Sequence, residues 1–167
     1  MANSPLELTN DELEKRMRPG ALSELGFLGE HEQLDQVIAH DARVLHELNT
    51  TYEKLAERLE DLLYLAFRSD EKVSQFEHFL VTVTQYMGFQ LCPWTLNIHH
   101  GQCRAGKGVR FASLDWQIQN LRTNQVMSGP GLIVHLIREH HFFEGLDSPY
   151  RVDPYQLACL LELRSLK

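Results

Sequence analysis

The stretch Phe79-Leu80-Val81-Thr82-Val83-Thr84-Gln85-Tyr86 decides the fold class. It is rich in β-branched and aromatic residues, and two sets alternate along it: Phe79, Val81 and Val83 against Leu80, Thr82 and Thr84. A period of two over this length is the signature of a β-strand. Met87-Gly88 is a turn signal, and Phe89 to Cys92 is expected as a short partner strand stopped by Pro93. Thr95 to Gly108 reads as a loop. Val109 to Ala112 and Asp115 to Leu121 are further strand candidates, the latter with Trp116, Ile118 and Asn120 on one face. Val126-Met127 adds a short strand.

Helical signals flank this region. Thr9 with Glu12 forms a capping box, and the helix it opens must end before Arg18-Pro19-Gly20. Leu34, Val37, Ile38, Leu45 and Leu48 recur at helical spacing and predict a helix over about residues 31–48. Thr50 with Glu53 is read as a second capping box. Tyr52, Leu55, Ala56, Leu59, Leu62, Leu63 and Phe67 then mark an amphipathic helix, expected to fold back on its predecessor as a hairpin. After the strands, Ser128-Gly129-Pro130 is read as a helix start, with Leu132, Ile133, Leu136 and Ile137 as its buried stripe. Asp153-Pro154-Tyr155-Gln156 starts a last helix, with a capping aspartate and proline in the first turn.

The expected fold is therefore α+β: an N-terminal helical hairpin region packed on a small antiparallel sheet, with two C-terminal helices. Residues 1–70 form an acidic helical region and residues 71–167 the sheet and C-terminal helices, expected to pack as one compact unit. The chain of 167 residues is long enough for a substantial core, and its 43% hydrophobic and 23% charged content is that of a water-soluble globular protein. No apolar run approaches the ~20 residues that span a bilayer, and Met1 to Asn10 has no secretory pattern. No membrane association is expected.

Charge is unevenly divided. The net charge is -7; residues 1–70 carry 15 acidic and 7 basic side chains, residues 71–167 carry 8 and 9. The acidic part repels phosphate backbones, which argues against non-specific nucleic-acid binding. Three cysteines cannot all pair with one another, and with no export signal the expected compartment is the reducing cytoplasm. Cys159 sits in an apolar helical pattern and is read as a core thiol.

Five of the nine histidines lie between residues 99 and 141, the segment that also holds Cys103, with Cys92 just before it. Thiolate and imidazole suit zinc, and a structural zinc site needs four such ligands. Cysteine-bearing strands followed by a histidine-bearing helix are also the layout of a ββα zinc module. In a regular helix His135 and His140 are about 140° apart. His135 shares a face with Arg138 and Glu139 and is expected to meet solvent, whereas His140 extends the buried stripe and His141 borders it. The metal set read from the sequence is thus Cys92, Cys103, one of His99 or His100, and one of His140 or His141.

Other chemistries use overlapping residues. His99-His100, Asn120 and His135 or His140 resemble, in order alone, the arrangement of an H-N-H nuclease, which would imply metal-assisted phosphodiester hydrolysis. A thiol hydrolase would pair Cys92 or Cys103 with a histidine base. Gly101 to Gly108 approaches a phosphate-binding loop, but Gly108 stands where the hydroxyl residue belongs and a strand-like run follows. Trp94, Phe111 and Trp116 interleave with Arg104, Lys107 and Arg110, a pattern that can stack nucleic-acid bases or hold a small ligand. The reading carried forward is a non-enzymatic protein that acts through another protein and holds zinc structurally; a metal- or thiol-dependent hydrolase over residues 92–141 is the alternative.

Overall fold

A computed structural model describes residues 8–97, 102–103 and 109–164. The fold is α+β. Three N-terminal helices, α1 (Asn10–Met17), α2 (Leu34–Leu48) and α3 (Tyr52–Phe67), precede the strands, and α4 (Ile133–His140) and α5 (Pro154–Leu160) follow them. Strands β1 (Ser74–Phe76), β2 (Phe79–Gln85), β5 (Leu114–Asn120) and β6 (Val126–Pro130) form an antiparallel sheet in the order β1-β2-β5-β6. Strands β3 (Thr95–Asn97) and β4 (Gln102–Cys103) form a separate two-stranded ribbon. No helix among the described residues is long and apolar enough to cross a membrane.

The capping chemistry works largely as read. Thr9 and Glu12 satisfy each other's backbone N–H groups at the start of α1, and Asp153 accepts from the Gln156 N–H at the start of α5. The cap of α3 lies one residue later than expected: the Thr51 hydroxyl, not that of Thr50, accepts from Lys54. Asn49 turns the chain between α2 and α3 in the left-handed region, with φ 52°. The two helices find their main partners elsewhere: α2 packs on α5, and α3 on α4 and β2.

The sheet is built on the β2–β5 pairing, in which Val81 faces Ile118 and Val83 faces Trp116. Leu114, Trp116, Ile118 and Asn120 are buried along β5, which confirms the alternation in the sequence. The flanking expectations need correction. Phe89 to Cys92 is not a strand; its Gln90 N–H reaches the Ala112 carbonyl at 2.8 Å without a continuing ladder. Val109 to Ala112 is not one either, because Phe111 takes φ 62° and breaks the extended path. β1 is too short to show a period, and β3 and β4 fall where a loop was expected.

Ser128-Gly129-Pro130 belongs to β6 rather than to a helix start. β6 is an edge strand, where proline's missing N–H leaves no rung unfilled. Gly129 faces Trp116, and a Cβ there would stand 2.7 Å from the Trp116 ring. The Pro130 carbonyl accepts the Trp116 indole N–H at 3.0 Å. The helix begins only after Gly131-Leu132.

The buried apolar side chains form one cluster running from Leu13 to Leu161. Phe142 and Phe143, just beyond α4, are fully buried in it.

Candidate metal centre

Two cysteines reach the centre from the β3–β4 ribbon and two histidines from α4. Cys92 precedes β3 in a turn closed by the Thr95 N–H on the Cys92 carbonyl at 2.9 Å. Arg16 of α1 holds this turn from outside, donating to the Pro93 carbonyl at 3.2 Å and the Thr95 carbonyl at 2.5 Å. Cys103 ends β4, paired with Thr95 across the ribbon. Both thiols are buried, as is His135, and His140 is half-buried.

The Cys92 and Cys103 sulfurs lie 3.6 Å apart, and His140 Nε2 lies 3.3 Å from the first and 3.0 Å from the second. Donor atoms of Cys92, Cys103, His135 and His140 all fall within 4.8 Å of one another. Tetrahedral zinc with ordinary Zn–S and Zn–N bonds would separate two sulfurs by about 3.8 Å and a sulfur from a nitrogen by about 3.5 Å. The observed spacings are close to these and slightly tighter. The sulfur separation is far too long for a disulfide.

His135 also carries a buried polar atom, Nε2, with no hydrogen-bond partner among the described residues. A buried polar atom left unsatisfied is costly, and each instance calls for a physical reason. His140 is held in place by stacking: its ring lies on Trp94 with centroids 4.0 Å apart and planes 3° from parallel. His135 meets it edge-on at 5.1 Å.

The expectation that His135 faces solvent is therefore overturned. Its premise was a regular helix, and the end of α4 is not regular. The His141 N–H reaches the Leu136 carbonyl as well as that of Ile137, and the Phe142 N–H also reaches Leu136. Where hydrogen bonds skip five residues instead of four, residues five apart come round toward one side. His135 and His140 are such a pair. The signal was present in the sequence, because H-x4-H falls inside the usual range for zinc-binding histidine pairs.

The other residues singled out go elsewhere. His141 takes φ 54° at the end of α4, is exposed, and stacks on Tyr52 at 4.0 Å, so it is not among the four. His99 and His100 lie outside the described residues, as do Gly101 and residues 104–108 of the phosphate-loop-like run. Asn120 is committed to structure: its amide donates to the Leu160 carbonyl at 2.9 Å and accepts from the Arg122 N–H at 2.9 Å. The order resembling an H-N-H nuclease thus has no free asparagine. Trp94 and Trp116 are buried, so neither offers a face for stacking bases.

The chemistry of the donors separates metal binding from thiol catalysis. A hydrogen bond with Cys103 and burial push the Cys92 thiol well above the ordinary thiol range. With no cation present the thiol stays protonated, the reverse of what a nucleophilic cysteine needs. Three of the four donor residues are buried and His140 is half-buried. No family model, curated protein or solved structure matches the chain.

Proposed function

We propose that Cys92, Cys103, His135 and His140 bind one zinc ion as a closed structural site, and that the chain is a non-enzymatic protein acting through contacts with other proteins. The observation that carries the metal reading is the convergence of donor atoms from four residues within 4.8 Å, one of which, His135, has a buried Nε2 with no hydrogen-bond partner among the described residues. Two thiolates and two imidazoles are the donor set that suits zinc over magnesium or calcium. Two thiolate charges also cancel the dication, so the occupied site buries no net charge.

Such an ion ties the β3–β4 ribbon to α4. The ribbon has two short strands and little hydrogen bonding of its own. A metal bound by the folded chain and not by the unfolded one adds its binding free energy to folding. Thiolate ligands of this kind persist in a reducing compartment, which supports a cytoplasmic location.

Metal analysis of protein purified without chelators tests the reading. One zinc per chain is expected, lost in Cys92→Ser and in His135→Ala. Cobalt substitution should give the absorption of a tetrahedral site with two thiolate ligands. A metal-free wild-type protein whose melting is indifferent to added zinc overturns the proposal.

A further inference from the structure

The metal centre leaves one surface feature unexplained. The turn after β2 carries Met87, fully exposed, and Phe89, 65% exposed. Beside it is an open cavity of about 520 Å³, whose lining includes Tyr86, Phe89 and Tyr150. Three aromatic residues line one space, and among the described residues in its wall the charged ones are Glu24 and Asp115. Among the described residues, no lysine, arginine or histidine lines it.

Asp115 projects from the outer face of β5, between Thr84 of β2 and Pro130 of β6. Its carboxylate interacts with the Tyr86 hydroxyl. Burial holds the Asp115 carboxyl above its ordinary value, and burial followed by the Asp115 charge does the same to Tyr86. The cavity thus carries negative charge that the described residues lining it do not neutralise. Aromatic faces attract a cation through their quadrupoles, and a carboxylate at the same point adds charge and accepts N–H bonds. An uncharged ligand would use the rings and leave both acids without a counter-charge.

We propose that this cavity receives the ammonium group of a lysine side chain on a partner protein. Tyr86, Phe89 and Tyr150 provide the aromatic wall, and Asp115 and Glu24 provide the negative charge. The rim selects a macromolecular lysine over a free amine. Met87 and Phe89 line the cavity and remain largely exposed, apolar surface that a small cation leaves in water and a peptide covers. The proposal rests on the interaction half of the preceding reading and not on the zinc, so the two fail separately.

The probe is Nα-acetyl-lysine methylamide, with the norleucine analogue as its uncharged isostere and a short acetylated peptide with one lysine among apolar residues. Ring resonances of the tyrosines and phenylalanines are followed by NMR as each is added to wild-type protein of known zinc content. Saturable shifts at Tyr86, Phe89 and Tyr150 are expected with the lysine probe and not with norleucine. The peptide should bind more tightly than the amide, and added salt should weaken both. Asp115→Asn and Phe89→Ala, both at exposed positions, should each weaken peptide binding about tenfold, the scale of one such contact, with zinc content unchanged. Equal shifts with norleucine, no saturable shift with either lysine probe, or full affinity in Asp115→Asn overturns the proposal. Binding of the free amide as tight as that of the peptide overturns the assignment to a protein partner.

Discussion

Trp94 lies flat against His140, its ring 4.0 Å from the imidazole and 3° from parallel. The same indole meets Phe142 edge-on at 5.7 Å, so it is clamped between a candidate ligand and the core. His140 is the last residue of α4 and would otherwise be free to turn outward at a helix end. Trp94 fixes its ring plane, and through it the direction of Nε2 toward the two sulfurs.

Trp94→Ala is therefore expected to weaken zinc binding while leaving all four donors in place. Loss of a group that orients a metal ligand typically costs about 10- to 100-fold in affinity. Competition against a chromophoric chelator would measure it, with Trp94→Phe recovering most of the loss. Unchanged affinity in the alanine variant would mean that His140 is oriented by the backbone alone.

The sheet was legible because its central strands, β2 and β5, are long enough to show a period and are buried on one face only. What the sequence hid was set by single contacts between distant residues. Ser128-Gly129-Pro130 carries the composition of a helix start, but it pairs with Asp115 to Gln117 of β5, and the Trp116 ring lies close against Gly129. The site was half legible for a similar reason. Cys92, Cys103 and His140 stand out by residue type, but His135 joins them through a widened last turn that an ideal helical wheel does not contain. Amino-acid type located the donors; backbone irregularity chose among them.

Asp41 and Arg151 form a two-point ion pair inside the protein. The guanidinium donates to Asp41 Oδ1 at 2.7 Å and to Oδ2 at 3.0 Å, and also to the Glu144 carbonyl at 2.8 Å. Asp41 is completely buried and Arg151 nearly so. Removing one partner strands the other charge, so Asp41→Ala should lose about 3–5 kcal/mol in urea denaturation. The double variant Asp41→Leu, Arg151→Met should recover much of this, because neither charge is left buried. A loss below about 1 kcal/mol in the single variant, the size of an exposed pair, would contradict this account.

Gly131 sets where α4 begins. A Cβ at this position would fall on the Phe111 carbonyl oxygen and 2.8 Å from Phe111 Cβ. Gly131→Ala must push the helix start away from the turn at Phe111, and His135 lies one turn further on. A stability loss of about 1–3 kcal/mol is expected from the overpacking, together with weaker zinc retention. Lost stability with zinc affinity intact would show that the helix start and the donor geometry are independent.

Glu144 gives the protein a stability that depends on pH. Its side chain is fully buried beyond α4, and Oε1 has no hydrogen-bond partner among the described residues. Oε2 lies 2.6 Å from the Ser148 hydroxyl, which also reaches the Gly26 carbonyl at 3.3 Å. Burial raises the carboxyl from 4.5 to about 8, against the smaller opposing effect of Ser148. At neutral pH the group is protonated when folded and ionised when unfolded, so the folded state holds the extra proton. Stability from this residue is then fully present below pH 4.5, falls as the pH rises toward about 8, and levels off beyond it. Complete linkage across such a shift amounts to ~5 kcal/mol. Glu144→Gln keeps the shape and removes the titration. Urea midpoints measured across this range should decline in the wild type and stay nearly level in the glutamine variant, with the two curves closest at the acid end. Parallel curves would show that water reaches the carboxylate and that it ionises in the folded protein at its ordinary pH.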